Sequence, residues 1–333
     1  MKTTSVLIQS LCVPCFNHCR YCLLSWNGTL KGAGWEQSIK TADRFLHEFR
    51  EQLPDINSSF SFGYSMEHPE LKEAIRTLRR LDSPSASFLQ CDGMKMRSDE
   101  ECDKLIDMLL NEGIQQLNFT VYGLADYHDR FAGRKGDYEL ILRMMKAAQY
   151  KGLSFSSGIP LTTENISQID TLVDILRSLG SESINLFIPH EEGRGKLLSP
   201  IRLDLDSYLQ LSSASQSLFN RTIYKTESEW LETSETIQDQ KRMILISLQP
   251  GNIEEYEKQD AISVLHKIEA LDEAYYSIFP SFSELAAIYG NPGSTKLYRI
   301  RDLYSHYRTK YMHDHKIHIY DVTDERQSGS RRY

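Results

Sequence analysis

The sequence predicts an α/β fold: a partial (β/α)6 barrel of the TIM-like kind, followed by a mainly helical C-terminal cap. Two observations support this prediction. Six strand-like segments alternate with helical patterns between Ser5 and Ile188, and such alternation indicates parallel βα units joined by right-handed crossovers. The alternation then stops, and the remaining chain is helical and less regular. We therefore divide the chain into a barrel over residues 1–198 and a cap over residues 199–333.

The six predicted strands are short segments rich in apolar, β-branched and aromatic residues. They are Ser5–Leu11, Ser59–Tyr64, Ala86–Cys91, Gln116–Tyr122, Leu153–Ile159 and Ser183–Ile188. Folds of this type bind their ligands at the carboxyl ends of the strands. The residues that end or follow each strand are therefore the candidate site residues.

The segments between the strands carry helical signals. Ser98 and Glu101 form a capping-box pair at the start of one helix, and a glycine follows three of the helical patterns, as is typical of helix ends. The predicted barrel helices are Ser38–Leu53, Pro69–Leu81, Ser98–Asn111, Asp137–Tyr150 and Glu164–Leu179. In the cap we predict an exposed helix or linker over Lys225–Lys241, helices over Asp260–Leu271, Ser281–Ile288 and Tyr298–Tyr311, and a short strand over Ile317–Asp321.

The composition is that of an ordinary globular protein, with 40% hydrophobic and 25% charged residues. The formal net charge is −8, and an acidic chain lacks the broad positive field that nucleic-acid binding usually needs. No apolar run reaches the roughly 20 residues of a membrane-spanning helix, and the N-terminal segment is too short in apolar residues for a signal peptide. We expect a cytoplasmic protein that binds neither a membrane nor a nucleic acid.

Four of the six cysteines lie close together: Cys12, Cys15, Cys19 and Cys22. Clustered thiols in a large chain indicate metal binding rather than a disulfide framework. A structural zinc site would use all four, but such sites usually separate their two cysteine pairs by about a dozen residues or more. A ferredoxin-like electron carrier would also use all four, with a different spacing. The compact C-x3-C-x2-C pattern from Cys15 to Cys22 instead favours a [4Fe–4S] cluster with one iron left open for catalysis.

This pattern and its context resemble the radical S-adenosylmethionine (SAM) superfamily. In that family, a C-x3-C-x2-C motif lies on the loop after the first strand, with an aromatic residue before the third cysteine. Here the aromatic residue is Tyr21, which we count among the cofactor-binding residues. The resemblance implies that Cys15, Cys19 and Cys22 hold the cluster. It covers roughly residues 4–200.

Further segments support the resemblance. Gly63, Tyr64 and Ser65 follow the second strand, where the family has a Gly-Gly-Glu-Pro segment that contacts the methionine part of SAM; Tyr64 stands in place of the glutamate. Thr120 takes the position of a hydroxyl residue that often contacts SAM. Ile188 ends the sixth strand, before a Pro…Gly-Arg-Gly turn similar to one in peptide-modifying members. The resemblance implies cofactor contacts at these residues.

The resemblance also implies a reaction. The open iron would bind SAM, and the reduced cluster would cleave it to a 5′-deoxyadenosyl radical that abstracts hydrogen from the substrate. A flavodoxin- or ferredoxin-type protein would supply the electron. No cysteine follows Cys102, so the cap lacks the ligands of the additional clusters found in peptide-modifying relatives, and we expect a single cluster.

The expected substrate is a peptide or a small natural-product metabolite. A sugar, an aminoglycoside or a nucleoside is the alternative, and a non-catalytic iron–sulfur or zinc-binding protein is a more distant one. Cys91 lies in a Cys-Asp-Gly turn at the end of the third predicted strand. As a thiol at the mouth of the barrel it is a candidate hydrogen donor to a substrate radical, as in an epimerase.

Overall fold

The structure is a computed structural model and describes residues 2–11, 15–22, 34–63, 65–82, 87–191, 193–233 and 241–319. Within these ranges lie seven strands: β1 (Lys2–Leu11), β2 (Asn57–Gly63), β3 (Phe88–Gln90), β4 (Gln116–Thr120), β5 (Ser154–Pro160), β6 (Ser183–Phe187) and β7 (Lys241–Leu248). The same ranges contain thirteen α-helices: α1 (Trp35–Gln52), α2 (Leu71–Leu81), α3 (Asp99–Asn111), α4 (Ala125–Ala132), α5 (Asp137–Lys151), α6 (Ile169–Ser178), α7 (Leu205–Tyr208), α8 (Ser213–Gln216), α9 (Glu227–Leu231), α10 (Ile253–Tyr256), α11 (Ala261–Tyr276), α12 (Phe282–Tyr289) and α13 (Ile300–Asp314). None of these described helices has the length and apolar character needed to cross a lipid bilayer.

All paired strands run parallel, in two sheets with the orders β2-β1-β7 and β3-β4-β5-β6. Side chains from β1 through β6 line one common cavity, so the two sheets face a shared lumen. On the outer side, Phe45 and Phe49 of α1 join Val6 and Ile8 of β1 in one buried apolar cluster. The architecture confirms the predicted α/β fold with a partial barrel.

Strands β1 to β6 confirm the six predicted strands to within a few residues at each end. The helical interpretation of the chain after Ser199 is wrong for β7, which pairs in parallel with β1. Ile244, Ile246 and Leu248 alternate along β7 and are fully buried, as expected for a strand with one face in the core. The polar segment before β7 masked this alternation in the sequence. The division at residue 198 stays a prediction, and β7 adds a later segment to the barrel sheet.

Two smaller predictions in the cap also need correction. Residues 317–319 do not form the predicted strand, and residues 320 and 321 lie outside the described residues. The segment predicted as one exposed helix or linker over Lys225–Lys241 contains the short helix α9, and its residues 234–240 also lie outside the described part. The three longer cap helices α11, α12 and α13 confirm the predicted ones.

The helix boundaries in the barrel follow the local signals. Ser98 and Glu101 form the predicted capping box at the start of α3. Gly113, Gly152 and Gly180 follow α3, α5 and α6 with positive φ angles, the left-handed conformation that glycine adopts without a steric cost. These glycines end the three helices and so determine where the chain turns towards the next strand.

A buried ionic network fastens the cap to the end of β6. Asp302 of α13 is fully buried and accepts hydrogen bonds from Arg299 Nε at 2.9 Å and from the backbone N–H of Glu191 at 3.0 Å. Arg202, which is also buried, contacts the Glu191 carboxylate at 2.9 Å and the Asp302 carboxylate at 3.4 Å. The network therefore joins α13 to residues directly after β6.

Replacing Asp302 with asparagine is expected to lower the free energy of unfolding by roughly 3–5 kcal/mol, because the buried Arg202 and the partly buried Arg299 lose a charged partner. Burial raises the pKa of Asp302, but the charges of Arg299 and Arg202 and the hydrogen bond from His190 hold it far below its ordinary value of 3.8. A depressed pKa stabilises the folded state at neutral pH, and this contribution is lost as the pH falls below the ordinary aspartate value.

Urea unfolding at pH 7 and at pH values below 3.8 measures both effects. The matched control is Asp314→Asn, because Asp314 is exposed and pairs with the exposed His313, so its loss is expected to cost less than about 1 kcal/mol. Equal stability losses in the two variants would show that the network does not hold the cap.

Candidate active site

The three-cysteine loop, residues 15–22, is fixed by backbone hydrogen bonds to two other segments. Phe16 N–H donates to the Gly93 carbonyl oxygen at 2.9 Å, and His18 N–H donates to the Ala132 carbonyl oxygen at 2.7 Å. Gly93 lies just after β3, and Ala132 ends α4. The loop therefore lies against the turn at the carboxyl end of β3 and against the end of α4, at the end of the strands where βα folds place their active sites.

Cys15, Cys19 and Cys22 are free thiols of intermediate exposure. Burial, together with the nearby Cys22 and Asp92, raises the pKa of Cys15 to about 11, against the hydrogen bond from the Asn17 backbone N–H. Burial also raises the pKa of Cys19 well above its ordinary value, as do Cys22 and Cys15. The thiols thus repel one another when ionised, and a cationic group between them would relieve this repulsion.

The donor set, three thiols on one loop, fits an iron–sulfur cluster, and Cys12, the fourth ligand of the zinc alternative, lies outside the described residues. Across the described residues, no group of three or more His, Cys, Asp or Glu side chains could hold one metal ion. A tetrahedral zinc site needs its sulfur atoms about 2.3 Å from one shared centre, whereas each cysteine of a cubane binds a different iron and the sulfurs lie farther apart. Three thiols on one loop are therefore suited to three irons of a cubane.

The turn at Gly93 leaves the space that the Cys15 thiol occupies. Gly93 has a φ angle of +63°, and a Cβ atom built there would overlap the Cys15 Sγ atom and lie 3.3 Å from the Cys15 Cβ atom. A side chain at this position would have to displace Cys15. The sequence pattern places a glycine in this turn, and the structure explains the requirement through close contact with the thiol as well as through φ.

Asp137, which is buried at the start of α5, connects the cysteine loop to α4. Its carboxylate accepts hydrogen bonds from Asn17 Nδ2 at 2.9 Å and from His128 Nε2 at 3.0 Å, and it pairs with Arg134. The Tyr122 N–H donates to His128 Nδ1 at 3.1 Å, so Nε2 carries the ring proton. Burial raises the pKa of Asp137, yet the hydrogen bond from His128 and the charge of Arg134 hold it below its ordinary value.

An aromatic cluster packs behind the loop. The Tyr122 hydroxyl lies 3.1 Å from Cys19 Sγ, and hydrogen bonds to cluster sulfurs are one determinant of reduction potential. The Tyr21 ring packs edge-on against Tyr122 with centroids 5.9 Å apart and contacts Phe131 at 5.7 Å. These rings exclude water from one side of the thiols.

The lumen is a cavity of about 850 Å³, within the usual range for ligand sites. Asp92 lies in it and accepts hydrogen bonds from the Thr120 N–H at 2.9 Å, the Thr120 hydroxyl at 2.8 Å and Gln90 Nε2 at 2.6 Å. Burial raises the pKa of Asp92 to about 6, against those hydrogen bonds. Sequence analysis did not single out Asp92; its position beside Gly93 in a strand-end turn was the available signal.

The predicted cofactor-binding residues divide into two groups. Tyr21, Gly63 and Thr120 line the lumen, close to the loop. Ile188 is buried in the main apolar core, and its carbonyl oxygen accepts a hydrogen bond from the Tyr224 hydroxyl at 3.5 Å. Their roles stay predictions.

The predicted segment after β2 is described only in part. Tyr64 lies outside the described residues. Ser65 begins a one-turn 3-10 helix, Ser65–Glu67. The Glu67 carboxylate pairs with Arg97 at 2.7 Å, so it is engaged in an ion pair rather than directed freely to a ligand.

Cys91 is fully buried in the main apolar core. Its Sγ atom faces the Leu89 carbonyl oxygen at 3.7 Å, and its neighbour Asp92 is the residue that lines the lumen. This placement does not support a thiol at the barrel mouth, and the predicted hydrogen-donor role stays a prediction.

The family model of the Radical SAM superfamily matches residues 11–176 of the chain. No curated protein matches the chain. Among solved structures, Streptococcus suis SuiB bound to S-adenosylmethionine has a TM-score of 0.50 and 13% identity, over 73% of this chain and 58% of that chain. SuiB bound to its precursor peptide SuiA has a TM-score of 0.50 and 12% identity, over 73% of this chain and 57% of that chain. Escherichia coli coproporphyrinogen III oxidase (HemN) has a TM-score of 0.41 and 15% identity, over 66% of this chain and 53% of that chain.

At these identities the likeness to SuiB concerns the fold. The chain matches 58% of the length of the SuiB chain. The matched family segment contains the cysteine loop, β2 to β5 and most of α6, which are the elements that build the site described above.

Proposed function

Because the chain belongs to the radical SAM superfamily through residues 11–176, we propose that it cleaves SAM reductively and abstracts hydrogen from an organic substrate. SAM and a [4Fe–4S] cluster are the cofactors of this superfamily. The observation that carries the proposal is the three-thiol loop, which is fixed at the carboxyl end of β3 and contributes Tyr21 to the lining of the lumen.

Cys15, Cys19 and Cys22 are the residues that would hold the cluster. When bound, the cluster supplies the electron that cleaves the sulfonium of SAM to a 5′-deoxyadenosyl radical. The chain's own residues position this chemistry. Gly93 leaves room for the Cys15 thiol, and Asp137 fixes the loop through Asn17.

The aromatic rings behind the loop exclude water, which protects a reactive radical from side reactions. Tyr21, Gly63 and Thr120 line the lumen next to the loop and are the proposed SAM contacts with described side chains or backbone. Tyr64, Ser65 and Ile188 complete the proposed set.

The proposed substrate is a peptide or a small natural-product metabolite. SuiB, which shares the fold, has been crystallised with its precursor peptide SuiA, and this supports the peptide version. The second candidate is a sugar, an aminoglycoside or a nucleoside, which the polar side chains of the lumen favour. We propose a flavodoxin- or ferredoxin-type protein as the electron donor. We also propose a cytoplasmic location, because the free thiols of the described residues fit reducing conditions.

The test is anaerobic cluster reconstitution followed by reduction with dithionite in the presence of SAM. Chromatography is expected to detect 5′-deoxyadenosine in molar amounts at least equal to the protein. Iron binding without nucleoside formation under any reductant would support the non-catalytic alternative and overturn the proposal.

The same assay in deuterated water tests the role of Cys91. A hydrogen donor delivers solvent deuterium to the product, so Cys91→Ala is expected to remove this deuterium while SAM cleavage continues. Unchanged deuterium incorporation in the variant would exclude Cys91 as the donor.

A further inference from the structure

The lumen contains a row of polar side chains at one height across four strands. Gln90, Asn118, Ser156 and Ser183 are successive register partners on β3, β4, β5 and β6, and all four line the cavity. Barrel interiors of this kind are normally filled by layers of bulky branched side chains. In this row amides and hydroxyls take their place, so this part of the interior is suited to a polar occupant.

The other sheet continues the polar lining. Gln9 and Ser61 are register partners on β1 and β2, and both line the cavity. A second row above the first contains Thr120, Gly158 and Asn185. The glycine has no side chain, and the Phe187 ring lies over it, 3.3 Å from the position that a Cβ atom would take.

Three of these groups are available to a ligand. Within the part of the chain that the structure describes, the side chains of Gln9, Ser61 and Asn185 make no hydrogen bond to the protein. Asn185 is exposed and Gln9 and Ser61 are partly exposed, so water binds these groups when no ligand is present and a ligand can replace that water. Amides and hydroxyls both donate and accept, which matches the hydrogen-bonding pattern of ligand hydroxyl groups.

The charges and the aromatic side chains of the lining residues limit the kinds of ligand that the lumen can bind. Among the described residues that line the lumen, none is lysine, arginine or histidine, and Asp92 is the single carboxylate. The lining therefore offers no counter-ion to a phosphate or a carboxylate, while it attracts an amine. Phe62, which stacks on Trp35, and Phe187 also line the cavity and add apolar surface that suits the C–H bonds of a saturated ring.

We infer that the lumen binds a hydroxyl-rich ring, neutral or amine-bearing, such as a sugar or an aminocyclitol, as the substrate. The inference rests on the proposed function and selects its second candidate substrate, the sugar or aminoglycoside class, over a peptide. The polar rows hold the ring hydroxyls through Gln9, Asn118 and Asn185, and Asp92 faces the amine. This arrangement places the ring in the same cavity as the proposed SAM contacts Tyr21, Gly63 and Thr120.

Calorimetric titration of the reconstituted full-length protein with SAM present tests the inference. The probes are 2-deoxystreptamine, methyl glucoside, glucuronic acid and tetra-alanine. Binding is expected for the first two, with 2-deoxystreptamine tighter, and glucuronic acid is expected to bind at least about tenfold more weakly than methyl glucoside because Asp92 repels it.

Two variants test whether the ligand binds in the lumen. Asn185→Leu and Gln9→Leu are each expected to weaken 2-deoxystreptamine binding by about tenfold, since each removes hydrogen bonds to the ligand. Asn111→Leu is the matched control, because Asn111 is exposed at the end of α3, away from the lumen. Thermal unfolding checks that the variants fold, and two separate lumen variants keep the test valid if one does not.

The inference is overturned if neither ring compound binds, if glucuronic acid or tetra-alanine binds best, or if both folded lumen variants bind as the control does. Its failure is distinguishable from that of the proposed function. A protein that forms 5′-deoxyadenosine but binds neither ring compound contradicts the substrate class alone, whereas one that binds the rings but never cleaves SAM contradicts the proposed function alone.

Discussion

Replacing Cys19 with alanine is expected to lower 5′-deoxyadenosine formation to the level of a protein-free control. Each thiolate of the proposed site holds a different iron, so the loss of one removes a ligand that no neighbour replaces. Among the described residues, Tyr122 is the side chain in hydrogen-bond contact with Cys19, and a phenol does not substitute for a thiolate on iron in a cubane. We expect Cys15→Ala and Cys22→Ala to behave alike.

The control for the cysteine variants is Cys102→Ala. Cys102 is fully buried on α3 and packs in the main apolar core. Its replacement removes one thiol without touching the loop, and the small change in core volume is expected to cost about 1–2 kcal/mol of stability. Iron content and nucleoside yield should then match the wild type. Iron and SAM cleavage that survive in Cys19→Ala, or that are lost in Cys102→Ala, would contradict the assignment.

Gly93→Ala is expected to remove most of the iron and most of the SAM cleavage, although Gly93 carries no ligand atom. The added methyl group would overlap Cys15 Sγ, and the φ of +63° also strains any residue other than glycine. The Phe16 N–H donates a hydrogen bond to the Gly93 carbonyl oxygen at 2.9 Å. This bond holds the turn against the cysteine loop, so the two cannot separate to relieve the overlap with Cys15.

Gly152→Ala separates the effect of backbone strain from the effect of the steric overlap with Cys15. Gly152 follows α5 with a φ of +73°, and no atom lies within 4 Å of a Cβ built there. This variant carries the same backbone strain without the contact, so it is expected to lose about 1 kcal/mol of stability and to retain full iron content. Equal iron content in the two variants would show that the Gly93 turn does not position the thiol.

The sequence predicts local features of this protein well. The alternation of strands and helices, the capping box at Ser98 and the cysteine spacing are each encoded within about a dozen residues. β1 to β6 and α3 therefore appear where the pattern places them. The position of the cysteine loop follows from the rule that ligands bind at the carboxyl ends of parallel strands.

Features that join distant segments could not be predicted in this way. β7 pairs with β1 across more than two thirds of the chain, and its alternation is short and preceded by a polar segment. The partners of Asp302 come from three separate segments of the chain. Asp92 lines the lumen while the adjacent Cys91 faces the core, and a single strand pattern does not tell which of two neighbours at a strand end points inward.

The central claim is that three thiols hold a cluster whose fourth iron is open to SAM. Electron paramagnetic resonance of the reduced, reconstituted protein, recorded before and after SAM is added, tests it most directly. We predict a [4Fe–4S]¹⁺ signal whose g-values shift when SAM is added, because SAM occupies the open iron. A cluster signal that is identical with and without SAM would contradict the claim.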